Sequence, residues 1–152
     1  MSDDRQLVVF TLGQEQYGIP IRQVNEIVRM QKVTHLPDTA AFIEGITNLR
    51  GKIIPVVDFR KRFGLSAGEE TDQTRIIVVS INANPVGVIV DAVTEVLTVG
   101  EEDIEPLGAV IAGIDTKYID GIGKIGEALV ILMNLDKVFS DNEQDALQEA
   151  QE

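Results

Sequence analysis

Apolar and polar positions along the chain fall into short blocks with a recurring plan. Residues 7–28, LVVFTLGQEQYGIPIRQVNEIV, open with an apolar run, cross a polar turn and return to apolar positions, which predicts two strands followed by a short amphipathic helix. Residues 76–97, IIVVSINANPVGVIVDAVTEVL, read the same way. In FIEGITNLRGKIIPVVDFRKRF (42–63), Ile46 and Leu49 end one apolar run, Arg50, Gly51 and Lys52 turn the chain, and Ile53, Ile54, Val56 and Val57 form the next. Glycine tolerates the backbone angles of a tight turn, so this stretch predicts a hairpin or a tight strand connection. Residues 118–139, YIDGIGKIGEALVILMNLDKVF, carry their own long run, ALVILM. Valine and isoleucine dominate the apolar content, which favours sheet, and several strands are apolar throughout, as strands packed on both faces would be.

These four stretches form two pairs. Laid over each other without a gap, 7–28 and 76–97 match Gly18 with Gly87, Val24 with Val93, Glu26 with Glu95 and Ile27 with Val96. Likewise 42–63 and 118–139 match Gly45 with Gly121, Asp58 with Asn134, Lys61 with Lys137 and Phe63 with Phe139. Two matches in the same order make the chain two related halves, approximately 6–65 and 75–139, within a single domain over 1–152. A sheet of about five short strands has exposed edges and one apolar face, and closure into a barrel deals with both. The expected fold is therefore mainly β: two small five-stranded SH3-like β-barrels packed side by side, with short helices. A single mixed sheet with helices on one face is the alternative, disfavoured because the helical stretches are too short for parallel crossovers. Exchange of a strand or helix between the halves stays open. SAGEETDQT (66–74) reads as the polar connection, Asp58 and Asn134 as N-caps of FRKRF and LDKVF, and the acidic segment 140–152 as a further helix or tail whose Ala146, Leu147 and Ala150 share a face.

Charge changes the picture of partners. A formal net charge of −12, from 25 acidic and 13 basic residues, opposes a phosphate backbone and argues against nucleic acid and anionic membrane surfaces. Cysteine is absent, which excludes thiol catalysis, thiolate metal sites and disulfides and is compatible with a reducing compartment. MSDDRQ is acidic and polar, and the apolar run behind it is too short for a signal core or a membrane span, so a cytoplasmic protein without membrane insertion is expected. Tryptophan is absent and aromatics are few, leaving little to stack on bases or sugars.

Polar catalysis needs a base, a nucleophile or a metal held in place, and the chain offers little of these. His35 is the single histidine and reads as a surface or half-buried packing residue; Met1, Met30 and Met133 are scattered. The acidic pair Glu69 and Glu70 and the run EED (101–103) sit in polar linkers, while GIGKIG (121–126) lacks the spacing and the Ser/Thr of a phosphate loop. No catalytic, cofactor-binding or metal-binding residue is therefore assigned, and an enzyme is the competing class. The repeat points elsewhere. Positions alike in both copies are explained by fold, whereas Arg50-Gly51 aligns with Gly126-Glu127, so only the first half owns an arginine able to pair with the glutamate of its predicted helix, Glu26. A bidentate pair of this kind would fix both side chains beside an apolar surface suited to binding.

With those residues in view, the chain resembles the bacterial chemotaxis coupling proteins, the CheW family, from about Gln6 to Phe139. The resemblance rests on LVVFTLGQEQYGIPIRQVNEIV, LPDTAAFIEGITNLRGKIIPVVDFRKRFG, VGVIVDAVTEVL and YIDGIGKIGEALVILMNLDKVF. It implies two small barrels around a shared apolar core and a non-enzymatic adaptor without a cofactor. Such an adaptor bridges the cytoplasmic tips of methyl-accepting chemotaxis receptors to the histidine kinase CheA and is recruited to membrane-associated receptor arrays. The resemblance also implies a receptor-facing, protein-binding site at Arg50, Glu26 and Val24. A coupling protein of a non-flagellar motility pathway or another chemosensory pathway is the alternative.

Overall fold

The computed structural model describes residues 5–37, 43–62, 65, 70–105, 118–139 and 143–147. Phe63, Ala150 and residues 66–69 of the 66–74 connection lie outside the described residues. The elements in chain order are β1 (Arg5–Leu12), β2 (Glu15–Pro20), β3 (Val24–Arg29), β4 (Ile43–Leu49), β5 (Lys52–Asp58), α1 (Phe59–Arg62), β6 (Arg75–Ile81), β7 (Asn84–Val90), β8 (Ala92–Val99), β9 (Ile104–Glu105), β10 (Ile119–Ile125), β11 (Ala128–Met133) and α2 (Leu135–Val138). Short 3-10 turns occupy Ile21–Gln23 and Glu101–Asp103, and 143–147 is helical.

Two sheets result, one ordered β8-β1-β2-β11-β10-β9 and the other β3-β6-β7-β5-β4. The expected barrels are not there, because neither sheet closes on itself: closure would pair β8 with β9 and β3 with β4, and neither pair is hydrogen-bonded. The reasoning for closure supposed that each small sheet must hide its own apolar face and edges. Instead the two sheets bury their facing sides in one shared core, which includes Val8, Phe10 and Ile19 from the first and Ile77, Val79 and Val88 from the second. On the far side of each sheet sits a smaller cluster, built on Leu7, Val9, Val130 and Leu132 in the first and on Ile54, Ile76 and Val78 in the second. Strands apolar on both faces follow directly, since each face has an apolar neighbour. Two edges are kept short: Thr34 makes an isolated bridge to Ile46 on the outer strand β4, and the first sheet ends in β9, whose two residues pair with β10.

The helices expected after β2 and β7 are also corrected. Residues 24–29 and 92–99 are strands, alternating half-buried and exposed positions in β3. Their β-branched residues favour an extended backbone, and an open neighbour lay ready for each: β3 pairs with β6 and β8 with β1. Each sheet thus draws strands from both halves. The internal matches reappear as identical registers: Glu26 faces Val78 and Glu95 faces Val9, with a bulge before each glutamate, while Gly45 faces Val56 and Gly121 faces Leu132, again with matching bulges. The two caps form as expected, Asp58 Oδ1 accepting from Arg60 N at 2.9 Å and Asn134 Oδ1 from Asp136 N at 3.1 Å. Of the C-terminal segment, Leu147 is buried in the shared core with Ala146 against it.

A polar strut crosses between the sheets. The Asp91 carboxylate, just after β7, accepts from Arg60 Nε at 2.7 Å and Nη2 at 2.5 Å and from Gly13 N in the β1–β2 turn at 2.8 Å. Burial alone would raise the Asp91 pKa, but the hydrogen bonds from Arg60 and Gly13 N and the guanidinium charge outweigh it and hold the carboxyl below its ordinary range. Asp91→Asn should therefore cost about 1–2 kcal/mol at neutral pH, as expected for charge-assisted hydrogen bonds that are partly shielded. Because the folded-state pKa is the depressed one, this contribution is complete above the unfolded value and is lost as the pH falls through the folded value. Asp58 works in the opposite direction, its carboxyl raised by burial against the lowering bond from Arg60 N. Melts of wild type and D91N side by side should accordingly converge only in acid, below the ordinary aspartate range; a gap that persisted unchanged there would exclude the ion pair as its source.

Candidate functional site

The β4–β5 connection is a two-residue turn in which Arg50 and Gly51 both have positive φ, 55° and 84°. That pairing of left-handed residues matches the twist of a two-residue hairpin, and it suits asparagine or glycine at the first position. Arginine there costs about 1–2 kcal/mol of backbone energy. The equivalent turn of the other half carries Gly126, with φ 61°. Arg50 therefore keeps a side chain at a place where glycine is easier, which a wet loop would not require. The turn is clasped by Asn48, whose Oδ1 accepts from Gly51 N at 2.8 Å.

From this turn the guanidinium reaches β3, the opposite outer strand of the same sheet. Arg50 Nη2 donates to Glu26 Oε1 at 2.6 Å and Nη1 to Oε2 at 3.0 Å, a fork-to-fork pair. The arginine side chain is 74 % exposed and the glutamate 27 %, so the pair stands at the water boundary with its carboxylate the better shielded partner. Beside it lies a shallow concavity of about 260 Å³ whose lining includes Leu49, Ile54, Val78 and Lys52. The surface combines an apolar floor with a fixed planar cation on its rim.

Of the three residues expected at a protein-binding site, the structure brings Arg50 and Glu26 together and sets Val24 apart. Val24 pairs with Val79, a residue of the shared core, whereas Glu26 pairs with Val78, which belongs to the cluster on the other face. The bulge between them turns the strand, Val24 is half-buried against the shared core, and Asn25 at the bulge accepts from Ser80 Oγ at 3.2 Å. Glu26 stands on an edge strand rather than on the predicted helix. Sequence reasoning missed Asn48, although the spacing Asn-Leu-Arg-Gly across a turn carries the signal. It also missed Asp91 and Arg60, which no local pattern connects.

The other polar features have structural partners. His35 donates from Nδ1 to the Glu44 carbonyl at 2.7 Å, holding the segment before β4 to that strand. Glu101 of the EED run pairs with Arg5 at 3.2 Å, and residues 121–125 of GIGKIG are strand β10. Among the described residues no group of three or more His, Asp or Glu side chains is placed to hold a metal ion. No helix among them is long and apolar enough to cross a membrane.

Comparison with known proteins places these features in a family. The model of the CheW-like domain matches residues 6–143. A chemotaxis protein CheW of Klebsiella aerogenes is 37 % identical over 139 residues, covering 91 % of this chain and 84 % of that protein. One from Treponema pallidum is 38 % identical over 142 residues, with the same coverage of 91 % and 84 %. The crystal structure of the scaffolding protein TtCheW from Thermoanaerobacter tengcongensis superposes with a TM-score of 0.82 at 43 % identity, covering 91 % of this chain and 94 % of that one.

Proposed function

Because the chain belongs to the CheW-like domain family, we infer that it is a non-enzymatic adaptor that links chemoreceptors to the histidine kinase CheA. Its work is recognition, and it acts at the cytoplasmic tips of the receptors. The observation that carries this reading is the family match over residues 6–143, joined by a solved relative of the same fold at 43 % identity.

Within the molecule, the receptor-facing patch is assigned to Arg50 and Glu26, while Val24, two residues before Glu26 on β3, supports that strand from the shared core. Support comes from asymmetry between two otherwise superimposable registers. Glu95 matches Glu26, but the turn that would face it carries Gly126. A paired, fixed guanidinium over an apolar floor suits a helical receptor tip that presents both acidic and aliphatic side chains, because arginine anchors contribute to binding out of proportion to their number.

The test is co-sedimentation with a receptor cytoplasmic fragment and the kinase, with kinase activity measured in the same tubes. The chain should pellet with the receptor fragment, carry the kinase into the pellet and alter its autophosphorylation only when all three are present. Kinase that pelleted and responded equally well without the chain would overturn the adaptor reading.

A further inference from the structure

We propose that Asn48 is a positioning residue for receptor recognition, acting through Arg50. The inference rests on the receptor-facing assignment of Arg50 and names the device that makes it usable. Arg50 is held through its turn backbone and through the two bonds to Glu26, and its side chain is 74 % exposed. Where the guanidinium can point is therefore decided by how firmly the turn is held. Arginine offers that turn no local side-chain bond of the kind asparagine or aspartate provides. The neighbouring Asn48 provides it instead, from the strand end, by capturing the N–H of Gly51.

The second half carries the register-matched hairpin, left-handed at Gly126 but not at Glu127, without the device. Register-matched to Asn48 is Lys124, whose ammonium donates to Glu105 at 2.6 Å and cannot accept a hydrogen bond from the turn. The clasp accompanies the turn that carries an arginine and is missing from the turn that carries glycine. Left-handed backbone at both turn positions does not by itself call for such a clasp, since Asn82 and Ala83 close β6 and β7 in the same way with Ser80 in the place of Asn48, its hydroxyl donating to Asn25. A left-handed glycine at position 126 holds its conformation without help, whereas a left-handed arginine does not. Asn48 is exposed, so removing its amide leaves the cores untouched.

The experiment measures binding of a receptor cytoplasmic fragment and of the kinase, with thermal melts, for N48A, N48Q, N48D, R50A and the double variant N48A/R50A. Asn48→Ala removes the acceptor, Asn48→Gln carries it one methylene beyond reach, and Asn48→Asp keeps it in place. N48A and N48Q should lose receptor affinity about three- to tenfold, the range a single hydrogen bond commands. N48D should bind within about twofold of wild type, and all three should keep kinase affinity. In the R50A background N48A should have no further effect on receptor binding, since a residue that works through Arg50 has nothing left to position. Loss from N48A of the same size with or without Arg50 would mean direct contact or a general effect and would overturn the proposal. So would receptor affinity unchanged in N48A and N48Q while R50A is impaired. An R50A protein with wild-type receptor affinity would instead remove the assignment of the patch itself, a failure distinguishable from the other two.

Discussion

Arg50→Ala is expected to weaken receptor binding about tenfold or more, as a lost arginine anchor does, while kinase binding and the thermal melt stay near wild type. Stability should hardly move because the arginine side chain is 74 % exposed: exposed pairs contribute about 0–1 kcal/mol. Removing a left-handed arginine in favour of alanine leaves the backbone cost in place. Arg50→Gly separates the two contributions more sharply. Glycine relieves the turn, so R50G should melt at or slightly above the wild-type temperature and still bind receptor as poorly as R50A. Arg50→Lys should recover only part of the affinity, because an ammonium keeps the charge but cannot present a planar fork to Glu26 and the receptor together. The matched control, Gly126→Ala, alters the equivalent turn and should leave receptor affinity unchanged while costing some stability through its positive φ of 61°. A folded R50A protein that binds receptor like wild type would defeat the recognition assignment. A melt that collapsed together with both affinities would leave only a structural role.

The largest effect on stability is expected at Gly45. A Cβ built there would lie 2.3 Å from the carbonyl oxygen of Thr34, 2.9 Å from its carbonyl carbon and 2.8 Å from a Val33 methyl. Two of the three obstacles are backbone, so no rotamer change relieves them. Gly45→Ala must push the segment before β4 off that strand, breaking the paired bonds between Thr34 and Ile46 at 2.8 and 2.9 Å and leaving one outer edge of the second sheet bare. The cost should reach about 3 kcal/mol or more, above the usual run of overpacking substitutions, and lower the melting temperature by about 6–12 °C. Gly123→Ala is the comparison, because a Cβ at that position meets only ordinary contacts at 3.6–3.8 Å. Equal melting temperatures for G45A and wild type would show that the Thr34 segment yields without loss.

Much of this was legible before any coordinates. The apolar blocks gave the strands of both hairpins, and the gapless matches foretold registers that coincide residue for residue. The ion pair followed from a single contrast between copies, Arg50 against Gly126. What misled was local. Val24 to Arg29 carry apolar residues compatible with either a short helix or a strand, and the choice was made by a free edge on β6, a fact of tertiary structure. The barrels failed for a related reason: a strand's own residues record that both its faces are dry but not which neighbours dry them. The opposite facing of Val24 and Glu26 depends on a bulge that adds one residue to one strand, and nothing in the composition of Val-Asn-Glu announces it. Asp91 and Arg60 lie 31 positions apart and meet only because β5 and β7 run parallel side by side.

The sharing of strands between sheets bears on how a signal would cross the molecule. Arranged this way, one chain contains what a swapped dimer assembles from two, each half lending its first hairpin, β1–β2 or β6–β7, to the middle of the other's sheet. Glu26 sits on β3, hydrogen-bonded into the second sheet, yet the chain leaves that strand through Ile21–Gln23 directly into β2 of the first. A load applied at Arg50 and Glu26 is therefore carried covalently into the other sheet within a few residues. Neither sheet can yield to a receptor without pulling on the other, so the two should respond, and unfold, as one body.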